Sequence, residues 1–65
     1  MASLGERLRR QRERQGISLA DIAAETRISR RYLEALERDD IRTLPGTLFA
    51  KSFARQYASL VGLNE

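Results

Sequence analysis

Cysteine, histidine and tryptophan are absent from these 65 residues, and lysine, methionine and proline each occur once. Without cysteine there is no disulfide framework, and without cysteine or histidine the usual zinc ligands are missing. The same two absences remove the commonest general base and the best thiol nucleophile. One lysine and no glycine-rich loop leave nothing to cradle a phosphate, and no spacing of acids marks a metal site. The carboxylates that remain have no closed pocket to work in, because ligand pockets take about 300 Å³ or more and this chain is only 7.4 kDa. No apolar run approaches the roughly 18–20 residues of a membrane span. The opening Met-Ala-Ser-Leu-Gly-Glu-Arg lacks the apolar stretch of a signal peptide. These exclusions point away from an enzyme, a cofactor or a metal, and toward a cytoplasmic binding module. A domain this small is marginal, so packing alone must hold it.

What the chain has in quantity is charge, unevenly placed. The net charge is +3 and the sequence pI about 10.2. Residues 1–16 carry five arginines against Glu6 and Glu13, net +3. Residues 17–40 carry four arginines against six acids (Asp21, Glu25, Glu34, Glu37, Asp39 and Asp40), net −2. Residues 41–65 carry Arg42, Lys51 and Arg55 against Glu65, net +2. The high pI points to nucleic acid; the acidic middle third does not.

The punctuation is helical throughout, with no alternating strand pattern. Ser3 and Glu6 form an S-x-x-E capping box for a first helix to about Gln15, stopped by Gly16. Leu4, Leu8, Gln11 and Gln15 share one face of it, and the arginines spread over the remainder. Ser18 and Asp21 open a second helix with Leu19, Ile22, Ala23 and Thr26 inward and Asp21 and Glu25 outward. Thr26-Arg27-Ile28 breaks the period. Ser29 then caps a third helix to about Arg38, with Tyr32, Leu33 and Leu36 as core. Asp39 and Asp40 end it. A linker leads to Pro45, expected at the beginning of a fourth helix over about 46–61, with Gly62 as its C-terminal glycine. Leu63-Asn64-Glu65 follow without a terminator, so the chain reads as a fragment.

Two constellations carry the functional reading. The first is helix, short turn, helix over about 18–38, with small Ala23 where crossed helices must approach closely. Gly-Glu-Arg-Leu-Arg-Arg at 5–10, Gly-Ile-Ser-Leu-Ala-Asp-Ile-Ala at 16–23 and Ile-Ser-Arg-Arg-Tyr-Leu-Glu-Ala-Leu-Glu at 28–37 resemble the Cro/repressor-type (XRE-like) helix-turn-helix. That resemblance implies an all-α bundle whose second motif helix reads the major groove, with Ser29, Arg30, Arg31 and Glu34 at reading positions. The departures matter. Leu19 stands where DNA-binding members usually carry Gln, Arg27 where they have a turn glycine, and Asp21 and Glu25 would face phosphates. Glu34, central among the reading residues, would weaken non-specific affinity.

The second constellation is the fourth helix. Phe49, Phe53 and Tyr57 repeat at i, i+4 and i+8, and with Ala50, Ala54, Leu60 and Val61 they make an apolar arc of roughly 140°. Three of the four aromatics sit on this one helix. The residues alone leave two readings open: a core stripe, or a docking edge with aromatic anchors.

Leu-Pro-Gly-Thr-Leu-Phe-Ala-Lys-Ser-Phe-Ala-Arg-Gln-Tyr-Ala-Ser-Leu-Val-Gly-Leu at 44–63, after that altered motif, resembles the cytoplasmic N-terminal domain of the RodZ family. The resemblance implies a single domain over 1–65 that docks on the bacterial actin homologue MreB rather than on DNA, in support of rod-shaped growth. It implies Phe49 and Phe53 as docking aromatics; Lys51 and Arg55, near them in sequence, are expected as charged contacts to an acidic filament surface. It also implies a fifth helix and a membrane span beyond Glu65, and a place on the cytoplasmic face of the inner membrane. Sequence-specific DNA binding is the alternative.

Overall fold

Ser3 starts the first helix by accepting a hydrogen bond from the Glu6 N–H at 3.2 Å. In the computed structural model, which describes residues 2–63, this helix is α1, Leu4–Arg14. The Glu6 carboxylate turns to Arg10 (3.1 Å) instead of back to the cap, so only half of the expected box forms. Gly16 adopts φ 69°, and the Ile17 N–H closes the end on the Arg12 carbonyl at 3.2 Å. α2, Leu19–Thr26, has the complete box: the Asp21 N–H donates to Ser18 Oγ and the Ser18 N–H to Asp21 Oδ2. α3, Arg30–Glu37, has Ser29 at its N-cap position without a side-chain hydrogen bond.

The linker holds a 3-10 turn, Ile41–Thr43, before α4, Thr47–Val61. Pro45 was expected inside the start of α4 but stands outside it. The first intrahelical bond runs from the Ala50 N–H to the Gly46 carbonyl (2.9 Å). Leu44, ahead of the proline, is extended, as proline requires of its predecessor. Gly62 ends α4 at φ 74°, and the Leu63 N–H reaches back to the Ala58 carbonyl (2.9 Å). Asn64 and Glu65, part of the expected unterminated end, lie outside the described residues. Among the described residues the fold is four α-helices and no strand.

The helices meet over Leu8, Ile22, Leu33, Tyr57 and Val61, all fully buried. Ala23 is half-buried against this core while Ala24 is exposed, as the spacing of α2 requires. α1 and α4 run side by side in the same direction. Arg12 meets Tyr57, and Gln15 Nε2 donates to the Val61 carbonyl at 2.5 Å.

Two features were not expected. Arg12, read with the other arginines as solvated, borders the apolar stripe at i+4 from Leu8, and its side chain is 14% exposed where α1 meets α3 and α4. Its guanidinium grips Glu37 with two bonds, Nε at 2.7 Å and Nη2 at 3.3 Å, and a third bond reaches the Ile17 carbonyl at 3.0 Å. The Tyr57 hydroxyl donates to the same Glu37 carboxylate. The hydrogen bond that the guanidinium donates to Glu37 raises the Arg12 pKa further. Burial, then the Glu37 carboxylate, pushes the Tyr57 phenol well above its ordinary range, with Arg12 opposing.

The second feature is Gly5. A Cβ there would collide with the Leu36 carbonyl oxygen and lie 2.7 Å from that of Glu37. The missing side chain lets α1 rest on the end of α3. Its N–H donates to Asp39 Oδ1 (3.0 Å), and the Ser3 hydroxyl donates to Asp39 Oδ2 (2.5 Å). Asp39 itself adopts the left-handed region, φ 58°.

Two expected outcomes follow from this packing. Ala is favoured over Gly inside a helix by about 1 kcal/mol, but at position 5 the collision is with backbone and outweighs propensity. Gly5→Ala should destabilise by ~1 kcal/mol or more, roughly 4–8 °C in thermal midpoint for a domain of this size. An unchanged or higher midpoint would contradict the close approach. For Tyr57, the folded pKa lies above the unfolded value of about 10. The stability it contributes is therefore complete below that pH and falls as pH rises beyond it. Urea denaturation between about pH 8 and pH 11 should show this loss, and Tyr57→Phe should reduce it.

Candidate protein-docking site

α4 contains Lys51 and Arg55 and no acidic residue. Its inner side, Ala50, Tyr57 and Val61, is buried, with Ala54 and Ala58 at the margins. The Tyr57 hydroxyl, tied to Glu37, fixes the rotation of the helix about its axis. That rotation decides which of the remaining aromatics face solvent.

Phe49 is 53% exposed. Phe53, one turn on, is half-buried, and the two ring centroids lie 5.9 Å apart at 46°. On its other side Phe53 stacks on Tyr32 of α3, centroids 5.8 Å apart and planes at 22°. Tyr32 was expected in the core with Leu33 and Leu36; those two are buried, but Tyr32 is only half so. It lies at the margin of the apolar face, where α3 meets α4. Tyr32, Phe53 and Phe49 form a ladder of three rings along the margin of the core, the first two half-buried and the last exposed. No sequence signal links residues 32 and 53, because the contact exists only once the two helices are packed.

The structure does not bring all four expected docking residues together. At 100° per residue, Lys51 stands about 160° around α4 from Phe49, and Arg55 about 160° from Phe53. Lys51 borders a groove with Leu4, Leu8, Ile41 and Ala54, on the side of α1. Arg55 borders a shallower one with Glu25, Ser59 and Leu60. Both cations are exposed, on the side of α4 away from the two phenylalanines. Leu48 is 79% exposed.

The DNA-reading alternative places Ser29, Arg30 and Arg31 on the exposed side of α3, with Glu34 half-exposed among them. Arg30 Nε lies 3.8 Å from Glu34 Oε2, so one reading cation faces an acid. Asp21 and Glu25 are exposed on α2. Arg27, in the turn, takes the left-handed conformation that glycine would supply, φ 61°.

Residues 7–65 match the helix-turn-helix domain family. Over 48 residues, 74% of this chain, the sequence is 44% identical to an uncharacterized membrane protein, YmfM, of Bacillus subtilis. Over 63 residues, 97% of the chain, it is 40% identical to the cytoskeleton protein RodZ of Streptococcus pneumoniae. The chain spans 17% of the length of the first relative and 23% of the second. No solved structure matches it.

The turn itself gives a test. A non-glycine residue in the left-handed region costs about 1 kcal/mol, and the gain from glycine is reduced by its greater unfolded entropy. Arg27→Gly should stabilise the domain by ~0.5 kcal/mol, seen as a higher denaturation midpoint. A lower midpoint would show that the Arg27 side chain contributes more than its backbone costs.

Proposed function

The chain belongs to the helix-turn-helix domain family, and from that premise we propose that it serves as a non-enzymatic adaptor that docks on an actin-like filament. The observation that carries this reading is the exposed ring of Phe49 beside half-buried Phe53, at the edge of the buried face of α4. An aromatic pair half in and half out of a rigid scaffold has the character of an interface anchor. The 40% identity over 97% of the chain to a cytoskeleton protein supports a cytoskeletal partner. The filament we propose is the bacterial actin homologue MreB, and the process is control of cell shape.

In this reading Phe49 and Phe53 bury themselves in the filament subunit. Lys51 and Arg55, on other faces of an acid-free helix, act at a distance through their charge and steer association more than they add affinity. Among the described residues no helix is long and apolar enough to cross a membrane. We place the domain at the cytoplasmic face of the membrane, by analogy with the membrane protein among its relatives. Sequence-specific DNA binding through Ser29, Arg30, Arg31 and Glu34 draws support from the fold alone. The exposed Asp21 and Glu25 and the Arg30–Glu34 pair weigh against it.

Single substitutions separate a docking edge from a core stripe. Removing an aromatic anchor costs about 2 kcal/mol of binding or more, roughly thirtyfold in affinity. A surface substitution changes stability by about 0.5 kcal/mol or less, whereas a core Phe→Ala costs about 3–5 kcal/mol. Phe49→Ala should keep its thermal midpoint and lose co-sedimentation with polymerised MreB. Phe53→Ala should lose binding with a larger stability cost, and Tyr57→Ala should mainly unfold. If Phe49→Ala and Phe53→Ala both melt while their folded fraction binds normally, the stripe is core and docking lies elsewhere.

A further inference from the structure

We infer that Tyr32, on α3, is a positioning residue for the docking edge on α4, holding Phe53 and through it Phe49 in the geometry that meets the partner. The inference rests on the docking reading above and extends the edge to a second helix. The geometry carries it. Tyr32 stacks nearly parallel on Phe53 at 5.8 Å, and Phe53 in turn sits 5.9 Å from Phe49. Both helices under the ladder are fixed from below. Leu33 and Leu36 bury the inner side of α3, and Tyr57 locks α4 to Glu37 at the end of α3. The stack therefore joins two rigid supports, and Phe53 has two rings as neighbours.

A phenyl group that is free to rotate must be immobilised when it docks, and that ordering opposes binding. A ring already stacked on a neighbour held by another helix avoids part of this loss. Tyr32 touches no partner in this scheme; it reduces what docking must organise. The rings continue from α3 to α4 without a charged side chain among them, and they fit a partner surface with a shallow apolar depression. Such a surface distinguishes the edge from the reading residues Arg30, Arg31 and Glu34, which occupy another side of α3 by the helical period.

The test uses the 65-residue chain and polymerised MreB, at a temperature where circular dichroism shows every variant folded. Tyr32→Leu keeps an apolar side chain and removes the stack; it should weaken filament binding about three- to tenfold. Tyr32→Phe keeps the ring and should bind like the parent. In a Phe53→Ala background, with filament concentration raised until the weakened binding can be titrated, Tyr32→Leu should have no further effect on the dissociation constant, because nothing is left to position. A merely structural Tyr32 would lower the midpoint and leave that coupling at zero. The inference is overturned if Tyr32→Leu binds like the parent while Phe49→Ala does not. It is equally overturned if Tyr32→Phe is as weak as Tyr32→Leu, or if the Tyr32→Leu effect persists in full without Phe53. If Phe49→Ala itself binds like the parent, the docking reading falls and takes this inference with it.

Discussion

A carboxylate in the interior of so small a domain has to be answered, and Glu37 is answered twice, by the Arg12 guanidinium and by the Tyr57 hydroxyl. Removing one partner from a buried pair costs about 3–5 kcal/mol, because the charge left behind stays desolvated. That is a large part of the 5–15 kcal/mol that typically holds a folded protein together. The three side chains come from three helices, so their bonds fix more than distance. The hydroxyl at position 57 must point at residue 37, and α4 is then set in rotation. The burial of Ala50 and Val61 on the same face sets the same rotation, and Phe49, about 80° around the helix from Tyr57, is left exposed.

The fold was legible wherever a local device made it so. Ser18 with Asp21 at the start of α2, Gly16 and Gly62 at helix ends, and the apolar period of α3 are all written within a few residues of the structure they produce. What could not be read depends on contacts across the chain. Arg12 lies 25 residues from Glu37 and 45 from Tyr57. Its place at i+4 from Leu8 sets it beside the apolar stripe, but only the packed helices show its partners; the four other arginines of the N-terminal segment face outward. Gly5 looks like a weak point in a helix until the end of α3 is seen to rest on it. Pro45 was misplaced by two residues because proline suits both a first helical turn and the extended approach to one.

The candidate site divides the same way. The spacing of Phe49, Phe53 and Tyr57 could be counted, and so could their common strip on one helix. Which of the three face solvent could not, because that follows from the rotation of α4. Lys51 and Arg55 were grouped with the aromatics by nearness in sequence, and the helical period sets them on other faces. Tyr32 was assigned to the core for the same kind of reason: its period is right, and only the packed position of α4 shows that its ring is shared with the surface.

The contact between the first and third helices has a consequence for how this molecule comes apart. Helix ends are usually finished by their own neighbours, but the start of α1 is finished by Asp39, which lies 34 residues from Gly5 and takes its N–H together with the Ser3 hydroxyl. A carboxylate at a helix N-terminus also complements the dipole there. The beginning of one helix and the exit from another are thus one object. Fraying cannot begin at the N-terminus and stop there, since releasing residues 3–5 frees Asp39, whose left-handed backbone those bonds help to hold. The amides of Gly5 and of the turn after α3 should therefore open to solvent together, as one cooperative unit rather than as two loose ends.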